Sequence, residues 1–350
     1  MIIKKINFKP FKFELKQKFS SSKNIINQRE GIYVIAEDEL GNNTVAEVSP
    51  LPGFSKETLE EAEKGLVLII DKLLNKELTG NNFSIENIYN ELSLPNSVRF
   101  GIDQLILNLQ IKRNPKFVQN NFNLVSKNKI NVNSVVGVES KEVILNKVEK
   151  CFNEGFSTIK IKIGRKEFNE DLQIIESIQN IYSGKLKLRC DVNGVWTEGE
   201  AIQNINSLNN FNLEYIEEPC SGISSNLNLT EISKNPIAID ESVPSTVVLK
   251  KLIEDNCFKF IVVKPMIVGS IFEILKLIKL AEEKNVNLIF SSAFESEVGR
   301  SVLVLLSSLV RHNYAHGLAI SELIKKDIYQ NNFPIINGSI NFVSDKYPIK

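Results

Sequence analysis

Five charged residues recur at a nearly constant interval in the second half of the chain, and each one closes a short apolar run. The intervals between neighbours are 29, 26, 23 and 24 residues. The five residues are Lys162, Asp191, Glu217, Asp240 and Lys264. A strand, a loop and a covering helix together occupy roughly 25 residues, so this spacing predicts successive β/α units of a barrel. Because the carboxyl ends of barrel strands meet at one rim, we expect three carboxylates flanked by lysines there.

Strand-like and helix-like patterns alternate from about residue 131 onward, which predicts a parallel sheet with helical crossovers. The predicted strands are 131–138, 158–163, 186–191, 213–217, 237–240, 258–264, 288–292 and 317–320. The predicted helices are 141–154, 168–182, 199–211, 246–255, 271–284 and 298–311. These segments predict a barrel domain over residues 128–324.

The first third of the chain lacks this alternation and is typical of an α+β domain. Apolar runs at 31–36 and 44–48 surround a turn-rich stretch and predict a hairpin. A helix is predicted from Ser55 towards Leu74, because a serine and an acidic first turn stand at its start. A second helix is predicted near 98–109. We expect residues 1–127 to form this smaller domain, with the tail 325–350 packing on it.

Bulk composition excludes several classes of partner. Lys+Arg and Asp+Glu each number 42, so no net charge attracts the chain to nucleic acid or to an anionic membrane. The longest apolar runs, 65–70 and 301–310, are too short to span a bilayer. The four cysteines stand far apart, as expected for reduced thiols. We therefore expect a cytoplasmic protein with no nucleic-acid or membrane partner, and the sequence predicts no particular oligomeric state.

The lysine pair Lys160 and Lys162 is the first candidate for chemistry. Side chains alternate along a strand, so both ammonium groups point to the same face. Their burial is costly unless carboxylates or a substrate anion compensate it, and it lowers a lysine pKa towards that of a usable general base. A chance Lys-x-Lys in a lysine-rich chain is the alternative, and the downstream carboxylates favour the functional interpretation.

Three acids at consecutive strand ends, Asp191, Glu217 and Asp240, are better explained by a shared cation than by three separate helix caps. Carboxylate oxygens suit Mg²⁺, with Mn²⁺ as the alternative ion. In the pairs Glu217-Glu218 and Asp240-Glu241, strand alternation predicts that only the first member faces the interior. We then expect contacts to the metal-binding acids, without direct binding of the ion, from Glu218, Glu241 and Asn193.

The segment 291–296 ends the seventh predicted strand and begins a helix. Free backbone N–H groups at a helix start bind carboxylates well, which makes Ser291 and Ser292 candidate substrate-binding residues, and a plain serine N-cap is the alternative. Arg189, one alternation before Asp191, is a further substrate-binding candidate. The two histidines, His312 and His316, receive no catalytic role.

These residues resemble the enolase superfamily in its muconate-lactonizing subgroup, and within it the o-succinylbenzoate synthase family. That subgroup carries Lys-x-Lys on the second barrel strand, metal-binding acids on the third to fifth, and a lysine on the sixth, places filled here in the same order. Segments 29–31, 49–55, 97–101 and 291–296 resemble the synthase family more narrowly. The resemblance implies an α/β fold, an enolase-like modified TIM barrel, (β/α)7β, with an α+β capping domain formed by the N-terminal region and the C-terminal tail.

The resemblance also implies an activity on a small carboxylate substrate. It implies a metal-dependent lyase that dehydrates 2-succinyl-6-hydroxy-2,4-cyclohexadiene-1-carboxylate to 2-succinylbenzoate in menaquinone biosynthesis. Lys162 would take the α-proton, Lys160 and Mg²⁺ would stabilise the resulting enediolate, and Lys264 would lie over the other face. Ser291 and Ser292 would lie near the succinyl tail. Segment 16–28 would be a flexible loop that shapes specificity.

Two other classes of function remain open at this point. An N-succinylamino-acid racemase, a dipeptide epimerase or a muconate cycloisomerase of the same subgroup would use the same residues. A barrel that binds or assembles without catalysis is the other alternative, and the retention of so many buried charges argues against it because unused buried charges are costly.

Overall fold

The computed structural model describes residues 1–20, 25–78, 83–320, 323–325 and 327–348, without the side chains of 17–20, 25–26 and 83–84. An antiparallel sheet of order β1-β2-β3 begins the chain. Its strands are β1 (Ile3–Ser20), β2 (Ile25–Asp38) and β3 (Asn43–Val48). The pairing of β2 with β3 confirms the predicted hairpin. The predicted loop over 16–28 is wrong where it is described, because β1 and β2 extend into it; residues 21–24 lie outside the described residues.

In the described part of the chain, four helices follow the sheet: α1 (Leu59–Leu73), α2 (Phe83–Glu91), α3 (Asn96–Arg113) and α4 (Phe117–Phe122). The first helix begins later than its predicted start at Ser55. The Thr58 hydroxyl accepts from the Glu61 backbone N–H at 3.2 Å, and the Glu61 carboxylate accepts from the Thr58 N–H at 2.8 Å. This capping box fixes the helix start. Ser55 instead accepts a hydrogen bond from the Leu51 N–H in the preceding loop.

A seven-stranded parallel sheet of order β11-β10-β9-β8-β7-β6-β5 forms the second part of the fold. Its strands are β5 (Ser134–Val136), β6 (Thr158–Lys162), β7 (Lys187–Asp191), β8 (Tyr215–Glu217), β9 (Ile237–Ile239), β10 (Phe260–Val263) and β11 (Asn287–Phe290). The helices around it are α5 (Lys141–Asn153), α6 (Phe168–Tyr182), α7 (Glu198–Leu208), α8 (Ile223–Thr230), α9 (Thr246–Asp255), α10 (Pro265–Val268), α11 (Ile271–Glu283) and α12 (Glu297–Leu309). The two short helices α8 and α10 were not predicted.

His316 and Gly317 close this sheet into a barrel. His316 bridges Val132, just before β5, and Gly317 bridges Ser291, just after β11. The predicted strand 317–320 is therefore a two-residue bridge that begins one residue earlier. The closed sheet with its outer helices confirms the α/β modified TIM barrel with a separate N-terminal sheet.

The predicted strand 131–138 divides between two sheets. Its first part extends β4 (Lys129–Asn131), which pairs with β13 (Ser339–Asn341) and through it with β12 (Ile335–Ile336). Only β5 belongs to the barrel. The tail also reaches the N-terminal part of the chain, where the Tyr347 hydroxyl donates to Oδ1 of Asn108 at 2.7 Å. The domain boundaries 1–127, 128–324 and 325–350 stay a prediction.

The barrel interior is packed at mid-height, which leaves its C-terminal rim as the place for a site. The packed layer consists of Tyr215, Ala238, Phe260, Val262 and Ile289. Each of these residues is at most 1% exposed. Among the described residues, no helix is long and apolar enough to cross a membrane.

The N-terminal domain is joined to the barrel by a buried acid of α3 that contacts the start of α11. Asp103, from the middle of α3, accepts from the Ser270 hydroxyl at 2.5 Å and from the Phe272 N–H at 3.2 Å. The Tyr89 hydroxyl also donates to this carboxylate at 2.5 Å. A carboxylate at a helix start satisfies backbone N–H groups that have no partner within the helix. The capping domain is thus anchored through an electrostatic contact as well as through apolar packing.

Candidate active site

The structure brings the predicted acids and lysines to neighbouring strand ends. Lys162 on β6 is in register with Asp191 on β7, and Asp191 is in register with Glu217 on β8. Asp240 directly follows β9, and Lys264 directly follows β10. Parallel pairing therefore places all five side chains at the C-terminal rim, where barrel enzymes carry their active sites.

Lys160 joins two of the three acids. Its Nζ lies 3.0 Å from Oδ2 of Asp191 and 2.8 Å from Oε1 of Glu217. Burial opposes the charge on Lys160, but these two carboxylates raise its pKa well above the ordinary value. Burial raises the pKa of Glu217 well above its ordinary range, against the influence of Lys160. Lys160 is therefore a fixed positive charge and a poor candidate for a base.

Lys264 pairs with the third acid, Asp240, through a hydrogen-bonded salt bridge. Burial again opposes the charge, while Asp240 and Glu241 raise the pKa of Lys264. The ammonium also lies 5.4 Å from the ring centroid of Phe54. Two of the three site lysines are thus held as cations by carboxylates.

Lys162 differs from the other two lysines in the direction of its pKa shift, and a neutral amide accepts a hydrogen bond from it. Its Nζ donates to Oδ1 of Asn193 at 2.8 Å. Nδ2 of Asn193 in turn donates to Oε1 of Glu241 at 3.1 Å. Burial lowers the pKa of Lys162, and the neighbouring Lys160 ammonium adds to this effect, although Asp191 acts against it. Asn193 holds this position at φ +54°, in the left-handed region.

The alternation argument for Asp240-Glu241 is wrong, because β9 ends at Ile239 and both acids lie in the following turn. Asp240 and Glu241 line one cavity together with Lys264. Burial, followed by the charge of Asp240, raises the pKa of Glu241 to about 7. Glu218 does turn away from this cavity, and its Oε2 accepts from the Asp240 backbone N–H at 2.7 Å.

This rim cavity is completed by Phe54 of the N-terminal domain and by two apolar residues of the barrel, Val243 and Ile267. Its lining consists of Phe54, Asp240, Glu241, Val243, Lys264 and Ile267. Its volume is about 40 Å³. Cavities that enclose organic ligands commonly measure about 300–1,000 Å³. A substrate at Lys264 therefore requires the Phe54 loop or neighbouring side chains to move.

A larger cavity of about 300 Å³ lies at the opposite end of the sheet. Leu288, at the start of β11, and His312 are part of its lining. His312 follows the end of α12 at Leu309 instead of lying within that helix. None of the three site lysines and none of the three strand-end acids lines this cavity. Its larger size therefore does not make it the reactive site.

The helix start after Ser291 and Ser292 is already filled by a carboxylate of the protein itself. Glu47, on β3, accepts from the Ser296 N–H at 3.1 Å, from the Ser296 hydroxyl at 2.5 Å and from the Gly299 N–H at 2.9 Å. We expected a substrate anion at this helix start, and the structure shows an interdomain contact there instead. Ser292 donates its hydroxyl to Glu295.

The structure places the remaining substrate-binding candidates differently. Ser291 lies at the rim, where it bridges Gly317. Arg189 is fully buried in the barrel, with Nε 2.7 Å from Oε2 of Glu214 and its guanidinium 4.6 Å from the Tyr215 ring centroid. This placement favours a structural role for Arg189 over contact with a substrate.

Comparison with known proteins decides the family. Residues 144–346, more than half of the chain, match the family described as enolase C-terminal domain-like. Residues 4–108 match the family described as the MenC N-terminal domain. The chain belongs to the enolase superfamily. The barrel that carries the five rim residues is accordingly an enolase superfamily barrel.

Relatives within the superfamily carry two different activities. The o-succinylbenzoate synthase of Aliivibrio fischeri is 28% identical over 309 residues, which cover 87% of this chain and 86% of that protein. The L-Ala-D/L-Glu epimerase of Francisella tularensis subsp. novicida is 25% identical over 332 residues, covering 91% and 90%. The solved dipeptide epimerase from Enterococcus faecalis, complexed with Mg and L-Leu-L-Tyr, has a TM-score of 0.87 at 20% identity and covers 98% of both chains. These likenesses support the superfamily and its fold without distinguishing the two reactions.

The chemistry of the rim fits a magnesium ion of the kind found in that relative. Asp191, Glu217 and Asp240 supply hard oxygen donors, and Oε2 of Glu217 is buried without a hydrogen-bond partner among the described residues. Within the same described residues, no three acidic, cysteine or histidine side chains form a ready-made cluster. Lys160 and Lys264 neutralise the acids in this arrangement, so an ion would compete with the two ammonium groups.

Sequence reasoning missed two residues that shape this site, Glu47 and Asn96. Glu47 lies two residues before the Ser-Pro-Leu-Pro stretch, and a single acid inside the apolar run 44–48 was a detectable signal. Asn96 follows a proline at the start of α3, a position that reads as an ordinary helix start. Its contacts with two barrel loops have no local signal in the sequence.

Proposed function

We propose that this protein is an o-succinylbenzoate synthase, a carbon–oxygen lyase of menaquinone biosynthesis that acts in the cytoplasm and requires Mg²⁺. The substrate would be 2-succinyl-6-hydroxy-2,4-cyclohexadiene-1-carboxylate and the product 2-succinylbenzoate. The observation that carries the proposal is the MenC N-terminal domain match over residues 4–108, on the domain that closes the rim cavity.

Lys162 is the proposed base. It would remove the proton at the carbon next to the substrate carboxylate, since burial lowers its pKa and the hydrogen bond to Asn193 orients its amine. The C–H electrons form the new ring double bond as the C–OH bond breaks. Lys162 would then return its proton to the departing hydroxyl, so that water leaves and no oxidant is needed.

The other charged residues would bind and stabilise. Asp191, Glu217 and Asp240 would hold Mg²⁺, which supplies positive charge against the substrate carboxylate when bound. Lys160 is a fixed cation on the same strand as the base, where it stabilises negative charge that develops on that carboxylate. Lys264 comes from β10, four strands from β6, and would face the ring from the opposite side.

A dipeptide or N-succinylamino-acid epimerase is the second candidate. Lysines on opposite sides of one carbon can remove a proton from one face and return one to the other. The epimerase relatives support this alternative. The opposite pKa shifts of the two lysines favour the lyase, because burial lowers the pKa of Lys162 whereas Asp240 and Glu241 hold Lys264 as a cation.

A parallel assay separates the two candidates. The purified protein is given the cyclohexadiene substrate, L-Ala-L-Glu or N-succinylphenylalanine, each with Mg²⁺ and with EDTA. The proposal expects rapid Mg²⁺-dependent formation of the aromatic product and a much lower kcat/KM for epimerisation. Epimerisation with no dehydration would overturn the synthase in favour of the second candidate. Turnover of none of the three would overturn both.

A further inference from the structure

We infer that Asn96 is a positioning residue that sets the mutual placement of Lys264 and Asp240, an inference that rests on the proposed function. Asn96 begins α3 in the N-terminal domain and lies half-buried against the barrel rim. Its Nδ2 donates to the Pro244 carbonyl at 3.0 Å and to the Ile267 carbonyl at 2.9 Å. Each of the two protons on one amide nitrogen thus holds a different barrel loop.

Asn96 holds the loop after β9 and the loop after β10, which contains the short helix α10, and these two loops carry Asp240 and Lys264. Pro244 lies four residues after Asp240, and Ile267 lies three residues after Lys264. Ile267 itself lines the rim cavity. A fixed distance between the two carbonyls therefore limits how far the Lys264 and Asp240 backbones can move apart.

The start of α3 also contacts the loop that carries Phe54, which forms the remaining side of the rim cavity. The Ser97 N–H donates to Oε1 of Glu57 at 2.8 Å, and Glu57 belongs to the loop that carries Phe54. The first turn of α3 thus gathers the loop after β9, the loop after β10 and the Phe54 loop.

Gly269 allows this close approach. Its φ is +106°, and a Cβ there would lie 3.1 Å from Oδ1 and 3.3 Å from Cγ of Asn96. A side chain at this position would be strained by the backbone and would press on the Asn96 amide. Glycine at position 269 therefore leaves room for the Asn96 amide beside the loop after β10.

A matched control exists at the opposite end of the strands. Asn235 is buried, donates from Nδ2 to the Leu208 carbonyl at 3.0 Å and accepts from the Leu213 N–H at 3.0 Å. It therefore ties the loop before β9 to the connection between α7 and β8, away from the rim. Asn235→Ala should destabilise the fold at least as much as Asn96→Ala, without disturbing the site.

The test compares Asn96→Ala, Asn96→Asp and Asn235→Ala with the unaltered protein. Asn96→Asp keeps the size of the side chain and suits a helix start, but it has no amide donor. Three quantities are measured: the Kd for Mg²⁺ alone by calorimetry, kcat and KM for dehydration, and the Tm. Changes to groups that orient metal ligands typically cost about 10- to 100-fold in metal affinity or activity.

We expect both Asn96 variants to lose about tenfold or more in Mg²⁺ affinity and kcat, and Asn235→Ala to lower Tm with Mg²⁺ affinity and kcat unchanged. Mg²⁺ affinity and kcat at the unaltered level in both Asn96 variants would overturn the inference. Equal losses in Asn235→Ala would also overturn it, since they would show a general effect of stability. If the unaltered protein itself neither binds Mg²⁺ nor dehydrates the substrate, the proposed function fails, and the inference with it.

Discussion

The ammonium of Lys162 is hydrogen bonded to the amide of Asn193, at 2.8 Å, in a rim where the other two lysines are paired with carboxylates. Burial lowers the pKa of Lys162, whereas at Lys160 and Lys264 the effect of burial is outweighed by neighbouring carboxylates that raise the pKa. Of the three lysines, Lys162 therefore gives up its proton most readily. The proposed assignment of Lys162 as the base follows from these opposite shifts.

Replacement of the base tests this assignment. Lys162→Met keeps the length of the side chain and removes the amine, and we expect kcat to fall by roughly 10²–10⁴-fold, the usual contribution of a general base. Lys187→Met is the control, because Lys187 is an exposed lysine at the far end of the neighbouring strand β7. Steady-state dehydration rates should be near normal in the control. A Lys162→Met enzyme with more than half of the original kcat would place the base elsewhere.

The Glu47 contact predicts a large loss of stability. Glu47→Ala removes the partner of the Ser296 and Gly299 N–H groups in a buried interface, and we expect the free energy of unfolding to fall by about 2–4 kcal/mol. Glu37→Ala on the neighbouring strand breaks a surface salt bridge with Lys5 and should cost at most about 1 kcal/mol. Urea denaturation measures both. Equal losses in the two variants would show that the Glu47 contact does not hold the domains together.

The burial of His312, beside the larger cavity, predicts that the stability of the fold depends on pH. Burial, with a contribution from the Lys127 charge, lowers the pKa of His312 from 6.5 to about 4 in the folded protein. The unfolded chain therefore binds a proton first as the pH falls, so stabilisation that is present above pH 6.5 is lost between pH 6.5 and about 4. His312→Gln removes this titration while carboxylates act equally in both proteins. The difference in unfolding free energy between the two proteins, measured by urea denaturation at pH 7.5, 5.5 and 4.5, should change across this window. A difference that stays the same at all three pH values would contradict the prediction.

Phe54 lies over Lys264 and provides a further prediction about the rim cavity. The cation–ring contact at 5.4 Å is partly shielded from water, and such contacts contribute about 0.5–2 kcal/mol. Phe54→Leu should therefore lower kcat/KM by about 2- to 30-fold, whereas Phe54→Tyr keeps the ring and should stay close to the original value. Equal values for Leu and Tyr would show that the ring face is unimportant for Lys264.

The sequence predicted the barrel well because its physical signals are local. Apolar runs and helical patterns have fixed periods, and the helices Phe168–Tyr182 and Thr246–Asp255 begin and end at the predicted residues. Strand ends could be placed to within a few residues, which was sufficient to gather Lys162, Asp191 and Glu217. The argument from alternation failed at Asp240-Glu241, because side chains follow a period of two only while the strand continues.

The remaining errors concern contacts between distant parts of the chain. The start of α12 was correctly recognised as an anion site, but the anion is Glu47, 249 residues before Ser296. Asn96 likewise binds carbonyls of loops 148 and 171 residues away. Nothing in the local sequence specifies which of many acids or amides will occupy such a place, so only the folded structure identifies it.

Crystals of the protein soaked in Mn²⁺ give the most direct test of a single shared cation. Anomalous diffraction at the manganese edge locates the ion independently of any assay. We predict one rim peak within bonding distance of a carboxylate oxygen from each of Asp191, Glu217 and Asp240. Crystals that bind Mn²⁺ only at sites away from this trio, or at a site that touches just one of its members, would contradict the account.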